Sequence, residues 1–141
     1  MASPLAIKLI LCDAAVADPA GKLHMLGAGW SLTSTPTAPQ AVAMLIKIPW
    51  DRANQKLHFA LRLLDPDGKQ VTLRGIDGQL VPIGQEGDIE AGRPPGIAAG
   101  SMLDAALAIS IPSMPLPSGR YEWRLELAEQ TLVESFTVRS Q

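Results

Sequence analysis

The tightest constraint on this chain's fold lies in residues 119–127, where Tyr121, Trp123, Leu125 and Leu127 alternate with Arg120, Glu122, Arg124 and Glu126. A period of two puts every second side chain on one face, which is the geometry of a strand and not of a helix. The same period recurs through Leu57, Phe59, Leu61 and Leu63, through Leu103, Ala105, Leu107, Ile109 and Ile111, and through Val42, Met44, Ile46 and Ile48. It is present again at Leu5, Ile7, Leu9 and Leu11, where the intervening residues are also largely apolar, so this first strand reads as buried on both faces. No stretch carries the 3.6-residue pattern of an amphipathic helix longer than about two turns.

Turn residues separate these runs. Asp18-Pro19-Ala20-Gly21 and Asp65-Pro66-Asp67-Gly68 combine a proline that fixes φ with a glycine that accepts the left-handed region. The second is flanked by alternating residues at 57–63 and by Val71 and Leu73, which predicts a hairpin. Residues 22–33 read as one strand bent at Gly27 and Gly29, and residues 132–138 as the partner of 119–127. Pro49 ends the strand before it, and residues 50–55 read as a helical turn or compact loop. Residues 75–100 carry many glycines and little periodicity, so they read as one long loop with a short strand around Leu80 to Ile83. The expectation is a single all-β domain over residues 1–141, an antiparallel β-sandwich (immunoglobulin-like or jelly-roll-like) of seven to eight strands with one long loop.

Bulk properties exclude several functions. A hydrophobic content of 47% with 18% charged residues does not describe a disordered chain. A net charge of −2, with the basic residues scattered, gives no footprint for nucleic acid. The apolar run at 5–11 holds Lys8 and is too short to span a bilayer, and it lacks the layout of a secretory signal. Cytoplasmic synthesis without membrane association is therefore expected. One cysteine, Cys12, forbids an internal disulfide.

The chemistry-bearing residues form no catalytic, cofactor or metal constellation. His24 and His58 are separated strand residues, and with a single cysteine they do not make a zinc set. Cys12 ends a buried strand beside Asp13 with no histidine near it in sequence. Glu86, Asp88 and Glu90 match no calcium loop and read as a solvated acidic stretch. Gly27-Ala28-Gly29 leads into strand residues, not into a helix that could cradle phosphate. The residues that do suggest recognition lie in connections: Trp50 and Arg52 in one, Arg93, Pro94 and Pro95 in another. Tryptophan and arginine are the types enriched in interface hot spots, and connections present them to partners.

The segments Ile10-Leu11-Cys12-Asp13-Ala14-Ala15 and Gly21-Lys22-Leu23-His24-Met25-Leu26-Gly27, with Trp30, resemble the start of a family of uncharacterised small all-β proteins of bacteria, actinobacteria among them, and their phages. Leu63-Leu64-Asp65-Pro66-Asp67-Gly68, Gly92-Arg93-Pro94 and Leu116-Pro117-Ser118-Gly119-Arg120-Tyr121-Glu122-Trp123 resemble its later blocks. The resemblance implies a β scaffold, carries over no catalytic residue, and suggests a virion or host–phage role.

Three functions from different classes follow. The first is a non-catalytic interaction or assembly module, such as a capsid or tail decoration protein of a phage. It is favoured because several strands are apolar on both faces, a surplus that commonly ends in a protein partner or a homo-oligomer. The second is a carrier of a small apolar ligand, and the third an enzyme of unrecognised type.

Overall fold

In the computed structural model, which describes residues 3–140, the chain is all-β, with one 3-10 turn at Trp50–Arg52. Twelve strands follow one another: β1 (Ala6–Cys12), β2 (Ala14–Ala17), β3 (Leu23–Leu26), β4 (Leu32–Ser34), β5 (Gln40–Ile48), β6 (Leu57–Leu64), β7 (Thr72–Arg74), β8 (Leu80–Pro82), β9 (Gly84–Ile89), β10 (Leu103–Ile111), β11 (Gly119–Leu127) and β12 (Gln130–Arg139). They form a three-stranded sheet, β1-β5-β10, a five-stranded sheet, β4-β12-β11-β6-β9, and two ribbons, β2-β3 and β7-β8. Neither larger sheet closes on itself.

One buried cluster draws on both larger sheets. From the three-stranded sheet come Leu9, Leu11, Val42, Met44, Ile46, Ile48, Leu103 and Ile109. From the five-stranded sheet come Leu57, Phe59, Leu61, Leu63, Tyr121, Trp123, Leu125, Leu127, Phe136 and Val138. The period-two residues named from sequence therefore do face one interior, and their alternates on β11 face away from it. Trp123 sits at the centre, and its indole N–H donates to Gln40 Oε1 at 3.1 Å.

The strand count exceeds the expected seven to eight because β2, β4 and β9 form beyond the strands read from sequence, and three segments differ from their sequence pattern. Residues 22–33 split into β3 and β4, with Gly27 and Gly29 at positive φ (63° and 93°) turning the chain between them. β4 then pairs with β12 in parallel, so the ladders are not all antiparallel. The turn at 65–68 forms as read: Asp65 Oδ1 accepts the amides of Asp67 and Lys69, each at 2.9 Å. The hairpin after it does not continue past Gln70 and Val71, because the free side of β6 is taken by β9. Finally, the segment 75–100 holds, besides the short strand expected around Leu80 to Ile83 (β8), the further strand β9. Glycine makes β9 possible: a Cβ at Gly84 would overlap the Leu61 carbonyl, and one at Gly87 would press on the Phe59 ring at 3.1 Å.

The apolar outer face of β1 and β5 is covered by the chain itself. Cys12, Ala41 and Ala43 are buried beneath Ala15, Leu23 and Met25 of the β2-β3 ribbon. Small residues on the sheet let the ribbon lie close, so this part of the apolar surplus is internal packing.

Candidate interaction surface

The β5–β6 connection and the crossover from β9 to β10 meet at one corner of the molecule. Pro49 introduces the 3-10 turn, closed by Arg52 N–H to the Pro49 carbonyl at 2.9 Å and Ala53 N–H to the Trp50 carbonyl at 3.3 Å. Asn54, at a φ of 62°, then donates its amide to Ala91 O at 2.8 Å and fastens the crossover to this connection. Arg93 thereby reaches Trp50: its guanidinium lies 4.2 Å from the ring centroid, and Nη2 donates to the Trp50 carbonyl at 2.7 Å. A cation held over an indole face is attracted by the ring quadrupole, and the hydrogen bond fixes its position. Arg93, Pro94 and Pro95 remain exposed, whereas Trp50 is half-buried and packs on the main core. The arginine thus binds a tryptophan and a carbonyl, not the acidic stretch.

Arg52 is placed otherwise than the sequence suggests. Its side chain is 8% exposed and makes a two-pronged ion pair with Glu129, Nη1 to Oε2 and Nη2 to Oε1 both at 3.1 Å. Nη1 also donates to the Ser3 carbonyl at 3.3 Å. A guanidinium turned inward and engaged in this way is not offered to a partner, so Arg52 leaves the contact set. Trp50 and Arg93 are the members that come together.

Beside this corner runs a cleft of about 640 Å³. Its walls are the turn at 18–21 and residues 89–94, Arg93 and Pro94 among them, and its floor is Asp104, Ala105 and Ala106 of β10. A Cβ on Gly21, whose φ is 84°, would stand 3.0 Å from the Asp104 carbonyl, so glycine lets that turn seat directly on β10. Asp18 is held below the usual carboxylate range chiefly by its hydrogen bond to His24, with the Lys22 and Ala20 amides adding to it. His24 Nε2 and Asp18 Oδ2 are 3.0 Å apart. Asp104 pairs with Lys47. The sequence did not single out the turn at 18–21 or the β10 segment as a site, since their juxtaposition is made by pairings distant in sequence.

The remaining candidates are accounted for by local partners. His58 lies on the outer face of β6, 3.2 Å from Asp88. Glu86 sits 3.2 Å from Arg62, which also reaches Glu126 at 2.9 Å. Glu86 and Asp88 therefore belong to an exposed edge strand whose carboxylates meet Arg62 and His58 of its neighbour, not to a loop. No group of three or more His, Cys, Asp or Glu side chains is arranged to hold a metal ion among the described residues.

Cys12 is fully buried, and its thiol donates to the Ala41 carbonyl at 3.6 Å. Burial, with Asp13 adding, pushes the thiol pKa up, away from the thiolate that nucleophilic chemistry requires. In the native chain Cys12 is expected to react with a maleimide at least about a hundredfold more slowly than in denaturant, as read by intact mass. Equal rates would place the thiol at the surface.

The fold and this corner define an all-β protein of several sheets with a surface cleft. The sequence matches the model of a family of unknown function (DUF6941) over residues 8–138, and the chain belongs to that family. No curated protein matches it. No helix among the described residues is long and apolar enough to cross a membrane.

Proposed function

We propose that the chain is a non-catalytic interaction module, a β-sandwich that presents the Trp50–Arg93 corner and its adjoining cleft to a protein partner. The observation that carries the reading is the fixed Arg93. An exposed arginine stacked on a half-buried indole, beside two exposed prolines, is already ordered before a partner arrives. Such preorganisation lowers the entropy lost on binding.

The other readings draw less support. An enzyme needs converging titratable groups with shifted pKa values, whereas the raised Cys12 thiol and the His24 and His58 pairs lie on separate elements. A carrier needs an apolar cavity, whereas large side chains such as Trp123, Phe136, Met44 and Met114 occupy the space between the larger sheets. A phage virion structural role, as a capsid or tail decoration, is a narrower form of the proposal that rests on the sequence resemblance. It would place the chain in the cytoplasm of the producing cell and then in the virion.

The test is site-specific photocrosslinking in cells that make the protein, with a photoreactive residue at position 95 and a control at exposed Val133. A protein adduct at 95 and none at 133 is expected. Arg93→Ala should reduce that adduct about tenfold, as loss of a hot-spot arginine does. The same change should cost no more than about 1–2 kcal/mol, the loss of one exposed cation–π contact and one hydrogen bond. Adducts of equal yield at both positions, or at neither, would overturn the reading. Trp50 is the poorer probe because it also packs on the core.

A further inference from the structure

Exposed sheet edges invite pairing with other chains, and natural proteins blunt them with charge, proline, bulges, shortness or cover. The two larger sheets have four edge strands, β1, β10, β4 and β9, and three of them carry such a device. β4 is only three residues long. β9 carries Glu86 and Asp88. β1 holds Lys8 and is closed at its ends: the Gln130 side chain bonds Leu5 N–H and C=O at 2.8 and 3.0 Å, and Gly29 N–H donates to Leu11 O at 2.7 Å.

β10 is protected only at its start, where Asp104 is charged and pairs with Lys47 and the turn at 18–21 seats on it. It is nine residues long and pairs with β5 without a bulge, from Leu103↔Ile48 to Ile111↔Gln40. Residues 105–109 are Ala-Ala-Leu-Ala-Ile, with neither charge nor proline. Among the described residues, no hydrogen bond reaches the side of β10 that faces away from β5. The backbone groups on that side form a half-buried row of unmet donors and acceptors, which is costly unless another strand or water meets it.

This edge is also recessed. It floors the 640 Å³ cleft and a second of about 550 Å³, and the two share Asp18, Pro19 and Ala106. The turn at 18–21 and the segment 89–94 stand on either side, so a single extended chain fits along β10 where a second broad sheet would meet those walls. Charge narrows the occupant further. The cleft brings the carboxylates of Asp18, Glu90 and Asp104 together against one cation, Arg93, which is already committed to Trp50. Asp104 has Lys47 and Asp18 has His24, while Glu90 has no ion pair among the described residues.

We infer that β10 takes an extended segment of a partner protein as an added antiparallel or parallel strand, with small or β-branched residues alternating along it and a lysine or arginine placed near Glu90. This deepens the interaction-module reading and rests on it. Main-chain hydrogen bonds to β10 supply the attachment, and the carboxylates supply the preference for a basic residue.

The test uses a displayed library of random nonapeptides selected on the purified chain, with enriched peptides resynthesised and their binding mapped by amide hydrogen exchange. The expected peptides alternate in polarity and carry a basic residue. On saturation, every second amide within 104–108 should slow by at least about tenfold, the period-two signature of an added strand. Ala106→Lys, which puts a charge at the edge on the face turned away from the core, should weaken binding about tenfold or more. Glu90→Lys, an exposed change that leaves the fold alone, should abolish the preference for a basic residue. Peptides that bind but protect only the Trp50–Arg93 corner would overturn this inference while leaving the interaction module standing. Protection of β10 that grows with protein concentration alone, together with a doubled native mass, would replace the partner segment by a second copy. No peptide bound and no increase in mass would overturn both.

Discussion

Trp123→Ala is expected to lower the unfolding free energy by about 3–5 kcal/mol, the cost of emptying a large buried aromatic site. That is a large part of the roughly 5–15 kcal/mol that holds a domain of ordinary size together. The indole is fully buried between β6 and β12, its neighbours in the five-stranded sheet, opposite Leu63 and Glu134 in register. Two losses add here. The cavity would lie in the middle of the shared cluster, where strands pinned on both sides cannot collapse into it. The indole N–H also satisfies Gln40 Oε1 at 3.1 Å, while Gln40 Nε2 is already buried without a partner. Removing Trp123 leaves that amide wholly unmet, which adds a desolvation cost. At roughly 3 °C per kcal/mol, interpolated for a chain of this length, the melting midpoint should fall by about 10 °C or more. Trp123→Phe separates the two losses, since it keeps most of the packing and removes only the donor, at about 1–3 kcal/mol. Circular dichroism melts and urea titrations measure both. A fall under about 1 kcal/mol for the alanine variant would mean that the two sheets are not locked through this residue.

Trp123 was legible in the sequence because its strand alternates without interruption, and burial of one face follows from alternation alone. The same holds for β5, β6 and β10. What the sequence hid falls into two kinds. One is the competition for strand partners: Val71 and Leu73 alternate well enough to continue a hairpin with β6, but β9 occupies that edge instead. The relevant signal was Gly84 and Gly87, read as loop glycines when they are the residues that let β9 approach Leu61 and Phe59. The other kind is burial of charge. Trp50, Arg52 and Arg93 look alike as connection residues, and no local pattern says that Arg52 turns inward to Glu129, 77 residues away, while Arg93 turns onto Trp50. The cleft on β10 was hidden for a related reason. An uncharged run such as 105–109 reads as ordinary core strand until the sheet order makes it an edge.

The inward Arg52 makes its own prediction, in which removing the two partners of one ion pair has unequal effects. Arg52→Ala is expected to cost about 2–3 kcal/mol, because it deletes a buried stem and the hydrogen bonds that tie the β5–β6 connection to the β11–β12 turn and to Ser3. Arg52→Met keeps most of the stem and removes a charge whose Nε is buried without a partner, so it should cost about 1 kcal/mol or less. Glu129→Ala should be worse than Arg52→Met, although Glu129 is the more exposed partner at 67% against 8%. Arginine cannot shed its proton, so without Glu129 its buried charge keeps only the Ser3 carbonyl. Arg52 also holds the Glu129 carboxyl below its ordinary value, first through the hydrogen bond and then through charge. A depressed carboxylate contributes stability that is present above its unfolded pKa and lost as pH falls through the folded value. The wild-type chain should therefore lose part of its stability below about pH 4, and Arg52→Met should lose less over the same range. Urea titrations at neutral pH and at pH 3 would measure both differences. If Glu129→Ala proved the milder change and acid acted on wild type and Arg52→Met alike, the pair would be a surface contact with no part in holding this corner together.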